Sequence, residues 1–338
     1  MYSFFRPLLF KLDPENAHHL TLQLIRLAGI FPPFRRILQS VFAAPGNPVT
    51  VFGLHFPNPV GLAAGYDKDG IALRGLSTLG FGHIEIGTVT LQSQPGNPRP
   101  RIFRLVEDQA IINRMGFPGR GADYVEKQLK KKRPEDLIVG VNLGKNKDTP
   151  LEDAASDYVR LLRRFLPLAD YLAINVSSPN TVGLRHLQGR EMLESLLKQI
   201  ATEREYISSP PHRKTPILVK LAPDLSEEEL DDALDAILRT GMDGVIATNT
   251  TLARDQLRSQ YREETGGLSG EPLRSRSEAV LRSVVKKMNG RLPVVSVGGI
   301  MHPTDVLSRL DAGAALVQIY TGLVYAGPGL VKQIVSNL

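Results

Sequence analysis

The stretch "INVSSPNT", residues 174–181, ends an apolar run in two serines, a proline and an asparagine. Turn chemistry accounts for such a cluster on its own, because Ser, Pro and Asn are ordinary loop residues. The alternative is that one serine works. Polar endings of the same kind recur down the chain. Ala64-Gly65, with Lys68 just beyond, follows one apolar run, and Thr88, Asn142 and Asn175 end the next three; Ser178 and Asn180 lie just past the last of these. Lys220 sits inside a fifth run near its end, and Thr248, Asn249 and Thr250 follow a sixth. Gly298-Gly299 and Tyr320-Thr321 close the last two. Each residue alone reads as a cap or a turn, but recurrence on every run argues for a shared site.

The chemistry of that set is selective. Carboxylates enter only through Asp67 and Asp224 in the loops, so a glycosidase-like acid pair has little support. The seven histidines show no metal-ligand spacing, and no metal site is expected. What remains is amides, hydroxyls and two lysines. An asparagine amide offers both donor and acceptor, which matches the edge of a flavin ring or a pyrimidine. Glycines after the last runs permit close backbone approach to a phosphate. "SVGGI" (296–300) alone is equally a packing feature; with Gly270 and "YTG" (320–322) it points to a phosphate-bearing cofactor such as FMN.

The elements that must position these groups are legible as periodicity. Eight short β-branched runs recur: 59–64, 83–88, 137–144, 171–176, 216–222, 243–249, 293–299 and 315–321. Near-continuous apolar strands are what a parallel sheet covered on both faces requires. Helical stretches separate most of them; in "SEEELDDALDAILRTG" (226–241) Ser226 and Glu229 form a capping box and Gly241 is the stop. The expected fold is an α/β, (β/α)8 TIM barrel, with a doubly wound open sheet as the competitor. Residues 89–118 are expected to form hairpins over the barrel mouth, and the polar 251–270 a mobile loop. "TVGLRHLQG" (181–189) is the candidate substrate lid.

Residues 1–45 are expected to form a separate helical subdomain, with the barrel over 46–338. Phe4, Phe5, Leu8, Leu9 and Leu12 stand close to helical spacing. Asp13-Pro14 is a cap and first-turn pair for a second helix carrying Leu20, Leu24 and Leu27 on one face. Five cations against two carboxylates leave this segment at +3. Two readings stand: a cap packed on its own barrel, or an amphipathic unit lying on an anionic membrane.

Composition narrows the remainder. The 338-residue chain is 42% hydrophobic, enough for a large core without disulfides or metals. It has no cysteine, which excludes disulfides, Cys-ligated zinc, iron–sulfur clusters and thiol nucleophiles. The net charge of +6 is compatible with an acidic ligand, an anionic membrane or nucleic acid; the densest basic run, "KQLKKKRPED" (127–136), reads as a solvated helix end. Residues 37–66 lack Asp, Glu, Lys and Arg, but Pro45, Pro48, Pro57 and Pro59 break them, so no membrane span is expected. Arg6, Lys11, Asp13 and Glu15 interrupt any signal-peptide core, and the two acids argue against a mitochondrial transit peptide.

Taken in order, "GLAAGYDKDG" (61–70), "NRMGF" (113–117), "INVSSPNT" (174–181), "VKLAPD" (219–224), "TNTT" (248–251), "GGLSG" (266–270) and "SVGGI" (296–300) resemble the dihydroorotate dehydrogenase family. "KLDPENAHHLT" and the serine of "SSPNT" resemble its class 2, membrane-associated, quinone-reducing branch; the cytosolic branch uses a cysteine base, absent here. The resemblance implies oxidation of dihydroorotate to orotate in pyrimidine biosynthesis, with Ser178 as general base and one FMN per chain. The flavin would be held by Ala64, Gly65, Lys68, Thr88, Asn142, Asn175, Lys220, Thr248, Gly270, Gly299, Tyr320 and Thr321. Substrate would meet Lys68, Asn113, Arg114, Met115, Gly116, Phe117, Asn175, Asn180, Asn249 and Thr250. His18, Arg104 and Tyr320 would lie near a membrane quinone reached through the N-terminal helices; Tyr66 reads as an ordinary variable position. Peripheral attachment to the cytoplasmic face of the cell (inner) membrane, and no nucleic-acid partner, are implied. A dihydrouridine synthase acting on tRNA suits the basic charge but relies on a cysteine acid. A binding protein on a dead barrel is opposed by Ser178, Lys220 and the amides, and a flavin-free phosphate barrel would be colourless.

Overall fold

The computed structural model describes residues 2–131, 133–181, 183–207 and 215–338. Lys132 of the basic run and Val182 of the lid segment lie outside the described residues.

Thirteen strands run in chain order as β1 (Val49–Val51), β2 (Leu54–Phe56), β3 (Val60–Leu62), β4 (His83–Val89), β5 (Ile102–Leu105), β6 (Ala110–Asn113), β7 (Ile138–Leu143) and β8 (Tyr171–Asn175). They continue as β9 (Ile217–Leu221), β10 (Gly244–Ala247), β11 (Gly267–Gly270), β12 (Val294–Val297) and β13 (Leu316–Ile319). Eight of them, β3, β4, β7, β8, β9, β10, β12 and β13, pair in parallel in that order and close into a barrel. Every one falls on an apolar run read from the sequence. The open sheet is therefore excluded: β13 pairs with β3 through Val317–Val60 and Ile319–Leu62. The barrel strands are buried along their length, apart from Ile138 at the start of β7, which is why they read as continuous apolar segments rather than alternating ones.

The sequence left the far end of the barrel undescribed. There β1 and β2 form an antiparallel hairpin that drives Leu54 and Phe56 against Tyr171, Leu218, Ile246, Val295 and Leu316, closing the bottom.

At the mouth, β5 and β6 form the expected hairpin, Phe103 opposite Ile112. Segment 251–270 is not a free loop throughout. Its end is β11, which adds to β6 with Leu268 opposite Ile112, so the two insertions share one three-stranded sheet. Arg254 pins the turn before β11 by donating to the Glu264 carbonyl at 3.1 Å.

Three helices precede the barrel: α1 (Tyr2–Phe10), α2 (Pro14–Ile30) and α3 (Pro32–Phe42). Asp13 caps α2 as its sequence requires, accepting from the Glu15 and Asn16 amides at 3.1 and 3.0 Å. One face of α2 buries Ala17, Leu22 and Gly29. A Cβ on Gly29 would stand 2.4 Å from the Gly75 nitrogen, so only glycine lets α2 cross the short helix Leu73–Leu76 at backbone contact. α1 is tied to the end of the chain by the Tyr2 hydroxyl on the Val324 carbonyl (2.6 Å).

Candidate active site

A cavity of about 450 Å³ runs from the barrel mouth into the space beneath the N-terminal helices. Its size is that of a small-molecule site. The barrel contributes Ala64, Gly65, Lys68, Thr88, Asn175, Ser178, Lys220, Thr248, Asn249, Thr250, Gly299, Tyr320 and Thr321. The sheet over the mouth adds Asn113, Met115, Gly116, Phe117 and Gly270, with Asn180 from the loop after β8. His18 and Arg104 line the same space. Nineteen residues scattered from 64 to 321 meet because strand ends meet at one rim of a barrel.

Two of the expected site residues stand elsewhere. Asn142 is wholly buried behind the lining, where Thr88 Oγ1 donates to its Oδ1 at 2.6 Å and Asn175 Nδ2 at 3.1 Å. It orients those two side chains instead of facing the cavity. Arg114 turns away: its guanidinium pairs with Glu264 at 2.6 Å and stacks over the Phe103 ring at 4.5 Å. The reason is local, because Asn113 ends β6 and Arg114 starts the turn beyond it.

Beneath Lys220 lies a network the sequence did not announce. Glu85 of β4 is wholly buried and stands 3.7 Å from Lys220 Nζ. Asn142 Nδ2 (2.9 Å) donates to one oxygen of Glu85, and Gln318 Nε2 (2.9 Å) and the Tyr171 hydroxyl (3.1 Å) donate to the other. A buried carboxylate needs this many donors to stay in a barrel core. The available signal was "HIEIGT", an acid at an inward position of an apolar strand.

The amides at the rim form a second network. Asn249 Nδ2 donates to Ser177 Oγ (2.9 Å) and Asn175 Oδ1 (3.3 Å), and Asn175 Nδ2 to Thr88 Oγ1 (2.9 Å). Ser178 Oγ accepts the Asn180 N–H at 3.2 Å. Arg185 braces this loop by donating to the Ser177 and Thr250 carbonyls and pairing with Asp224 at 2.8 Å. Asp67 is likewise structural; it accepts the Ile71 and Ala72 amides at 2.9 and 2.7 Å. Burial outweighs those bonds and pushes its carboxyl up to about 6. Neither loop carboxylate is therefore free to act as half of an acid pair.

Burial also shapes the cations. It holds the Lys68 ammonium down to about 8 although Glu15 and Asp69 oppose the shift, and Lys68 Nζ donates to the Gly65 carbonyl at 2.7 Å. His18 is held down to about 3 by burial and by Lys68, so its imidazole is neutral at pH 7. Tyr66, expected to be unremarked, joins the two halves of the cavity: its ring meets His18 edge-on at 4.9 Å and Tyr320 at 5.7 Å. Among the described residues no group of three or more His, Cys, Asp or Glu is placed to hold a metal.

The sequence model described as "Dihydroorotate dehydrogenase" matches residues 48–338. The chain belongs to the dihydroorotate dehydrogenase family. Dihydroorotate dehydrogenases are flavin-dependent oxidoreductases, and the chain is similar throughout to relatives named "Dihydroorotate dehydrogenase (quinone)". One from Janthinobacterium sp. (strain Marseille) is 46% identical, covering all of this chain and 98% of the relative. One from Escherichia coli (strain SMS-3-5 / SECEC) is 47% identical over all of this chain and 99% of the relative. Among solved structures, the Eimeria tenella dihydroorotate dehydrogenase in complex with ferulenol is 39% identical, with a TM-score of 0.88 over 96% of this chain and 90% of that one. The ligand-free Eimeria tenella enzyme gives 40% and 0.87, over 96% of this chain and 94% of that one.

Proposed function

We propose that the cavity holds one FMN and one dihydroorotate at the barrel mouth, and admits a quinone from the side of the N-terminal helices. The reaction is the oxidation of dihydroorotate to orotate with a quinone as final acceptor, a step of pyrimidine biosynthesis. The donor set fits a flavin: one buried ammonium at Lys220, convergent amides, and glycines of positive φ at 65 (+103°), 270 (+97°), 298 (+112°) and 299 (+69°) where backbone can approach a phosphate. FMN, when bound, would supply a two-electron acceptor for the hydride of dihydroorotate C6, with the quinone as final oxidant.

The chain's own groups do the rest. Ser178 takes the C5 proton. The Asn180 N–H on its Oγ stabilises negative charge developing there. A serine is a weak base, so the proton must leave by a relay. Thr181 suits that role: its hydroxyl is buried and has no hydrogen-bond partner in the protein. Lys68, Asn113, Asn180, Asn249 and Thr250 would hold the substrate's carboxylate and imide edge. Lys220, backed by Glu85, would offset the negative charge that a flavin gains on reduction. His18, Arg104 and Tyr320 would border the quinone.

Residues 1–45 form, on this reading, a quinone-access subdomain on the 46–338 barrel, resting on the cytoplasmic face of the cell (inner) membrane. No helix among the described residues is long and apolar enough to cross a membrane. Of 18 exposed large hydrophobic residues among those described, however, 12 lie between Phe4 and Val41, an apolar surface beyond what a free monomer needs.

The observation that carries the proposal is the continuity of one cavity from Lys220 and Ser178 to His18 and Arg104. The test is anaerobic mixing of the detergent-solubilised protein with dihydroorotate while following flavin absorbance. Bleaching reversed by a quinone analogue, but not by fumarate or NAD, is expected. A yellow protein that stays yellow would overturn the substrate, and a colourless one the cofactor.

A further inference from the structure

Behind the Gly298-Gly299 turn sits a buried cation that the proposed reaction does not use. Arg309, on the helix Pro303–Asp311, is wholly buried. Its Nη2 donates to the Arg274 carbonyl (2.8 Å), to Ser277 Oγ (2.9 Å) and to the Gly298 carbonyl (3.2 Å). Ser277 Oγ, on the helix Arg274–Met288, also bonds the Gly298 carbonyl at 2.7 Å and the Arg274 carbonyl at 3.0 Å. The Nε and Nη1 donors of Arg309 have no hydrogen-bond partner; Glu278 Oε2 stands 3.8 Å from Nε, and the Asp305 carboxylate adds a further favourable charge without a hydrogen bond. A guanidinium with two unmet donors in a barrel wall is costly, and packing alone gives no reason to keep one there.

The geometry of the peptide supplies the reason. The bond between Gly298 and Gly299 is trans, so its carbonyl and its N–H point in opposite directions. Ser277 and Arg309 hold the carbonyl toward the two helices. The Gly299 N–H is thereby turned away from them, toward the cavity that Gly298 and Gly299 line. Gly299 can have no side chain, since a Cβ would stand 2.2 Å from Arg274 Cα. A donor fixed in this way needs no reorganisation when an anion arrives, and a buried cation behind it is poorly screened by solvent.

We infer that Arg309 and Ser277 are a positioning pair for the phosphate of the flavin: they lock the Gly298 carbonyl, present the Gly299 N–H, and add fixed positive charge behind it. The inference rests on the reading of this end of the cavity as the FMN phosphate site.

The test compares two flavins that differ only in the phosphate. The full-length chain is stripped of flavin and titrated with FMN and with riboflavin, following flavin fluorescence, for the wild type, Arg309→Met, Arg309→Lys and Ser277→Ala. Arg309→Met is expected to weaken FMN about tenfold or more, the scale of hydrogen bonds to a charged group, while riboflavin affinity stays within about twofold. Ser277→Ala should show a smaller loss of the same pattern, and Arg309→Lys should recover part of the FMN preference. Equal losses for both flavins would reduce the pair to support of the fold and overturn the inference. Unchanged FMN affinity in variants that melt like the wild type would overturn it too. A wild type that binds riboflavin as tightly as FMN would instead remove the phosphate-site reading itself. If Arg309→Met does not fold, Ser277→Ala and Arg309→Lys decide the matter by the same ratio.

Discussion

Lys68 and Ser178 face one cavity but answer to different physics. Burial lowers the Lys68 ammonium to about 8, so the free enzyme loses this charge as the pH rises through that value. Its partner would be the dihydroorotate carboxylate, which stays ionised throughout. The dissociation constant for dihydroorotate, read from the substrate dependence of the anaerobic flavin-reduction rate, should be flat near pH 7 and rise above about 8. In Lys68→Met it should be raised throughout and lose that dependence. On the proposed reading Ser178 would act in the transition state instead. Ser178→Ala should slow flavin reduction by roughly 10²–10⁴-fold, the usual range for a general base, while dihydroorotate affinity changes little. Stopped-flow reduction at saturating substrate separates the two. Thr181→Val should slow the same step by a smaller factor if its hydroxyl serves the relay.

Among the elements, α2 packs on the barrel through its buried face and is also tied to the loop before β5 by one carboxylate. Glu15 meets Arg101 at 2.7 Å and Arg99 at 2.9 Å, and Arg101 also donates to the Pro95 and Asn97 carbonyls. This bond registers α2, and His18 one turn along it, against the loop that leads into β5. Burial pushes the Glu15 carboxyl upward, but the Arg101 hydrogen bond and charge, with those of Arg99, outweigh it and hold the group below its ordinary 4.5. A carboxyl whose pKa is lowered on folding contributes stability that is present above its unfolded value and disappears as the pH falls through the folded one. Glu15→Gln should therefore cost about 1 kcal/mol at pH 7, because solvent screens a pair that is only partly buried. Melting curves of variant and wild type should converge below the lowered value. Quinone reduction should suffer more than flavin reduction, because the misplaced element carries His18 and not Ser178. The elements themselves were legible. Asp13 and Ser226 cap where their spacing says they must, and Ser226–Glu229 closes its capping box at 2.8 and 3.1 Å. β11 was not legible, because "GGLSG" has no period of its own and becomes a strand only against β6.

The whole molecule presents one apolar side. α1 and α3 bury no residue, while Phe4, Leu24 and Phe34 are 89%, 55% and 60% exposed. The face of α2 that packs on the barrel and the face left open are opposite sides of one helix, so the two readings of the N-terminal segment are compatible. Phe4→Glu combined with Phe34→Glu should abolish co-sedimentation with anionic vesicles. Reduction of the flavin by dihydroorotate should be untouched, and reduction of a long-chain quinone embedded in those vesicles should fall steeply. Co-sedimentation equal to the wild type would mean that this surface does not rest on lipid.

The sequence by itself determined the eight strands, the capped helices, the polar residue at each strand end, and through them the barrel and its family. Those features repeat over a few residues, and backbone geometry converts a local period directly into an element. Tertiary structure alone decided which groups touch. Glu85, Tyr171 and Gln318 are far apart along the chain and meet within 3.2 Å only because the barrel closes. Tyr66 joins His18 to Tyr320 because α2 crosses the barrel at Gly29 and Gly75. Arg114, inside a site motif, turns outward to Glu264, and Arg309, outside every motif, reaches the Gly298 carbonyl. No period along the chain encodes such contacts, since they follow from ring closure and helix docking, which bring distant backbone together at fixed distances.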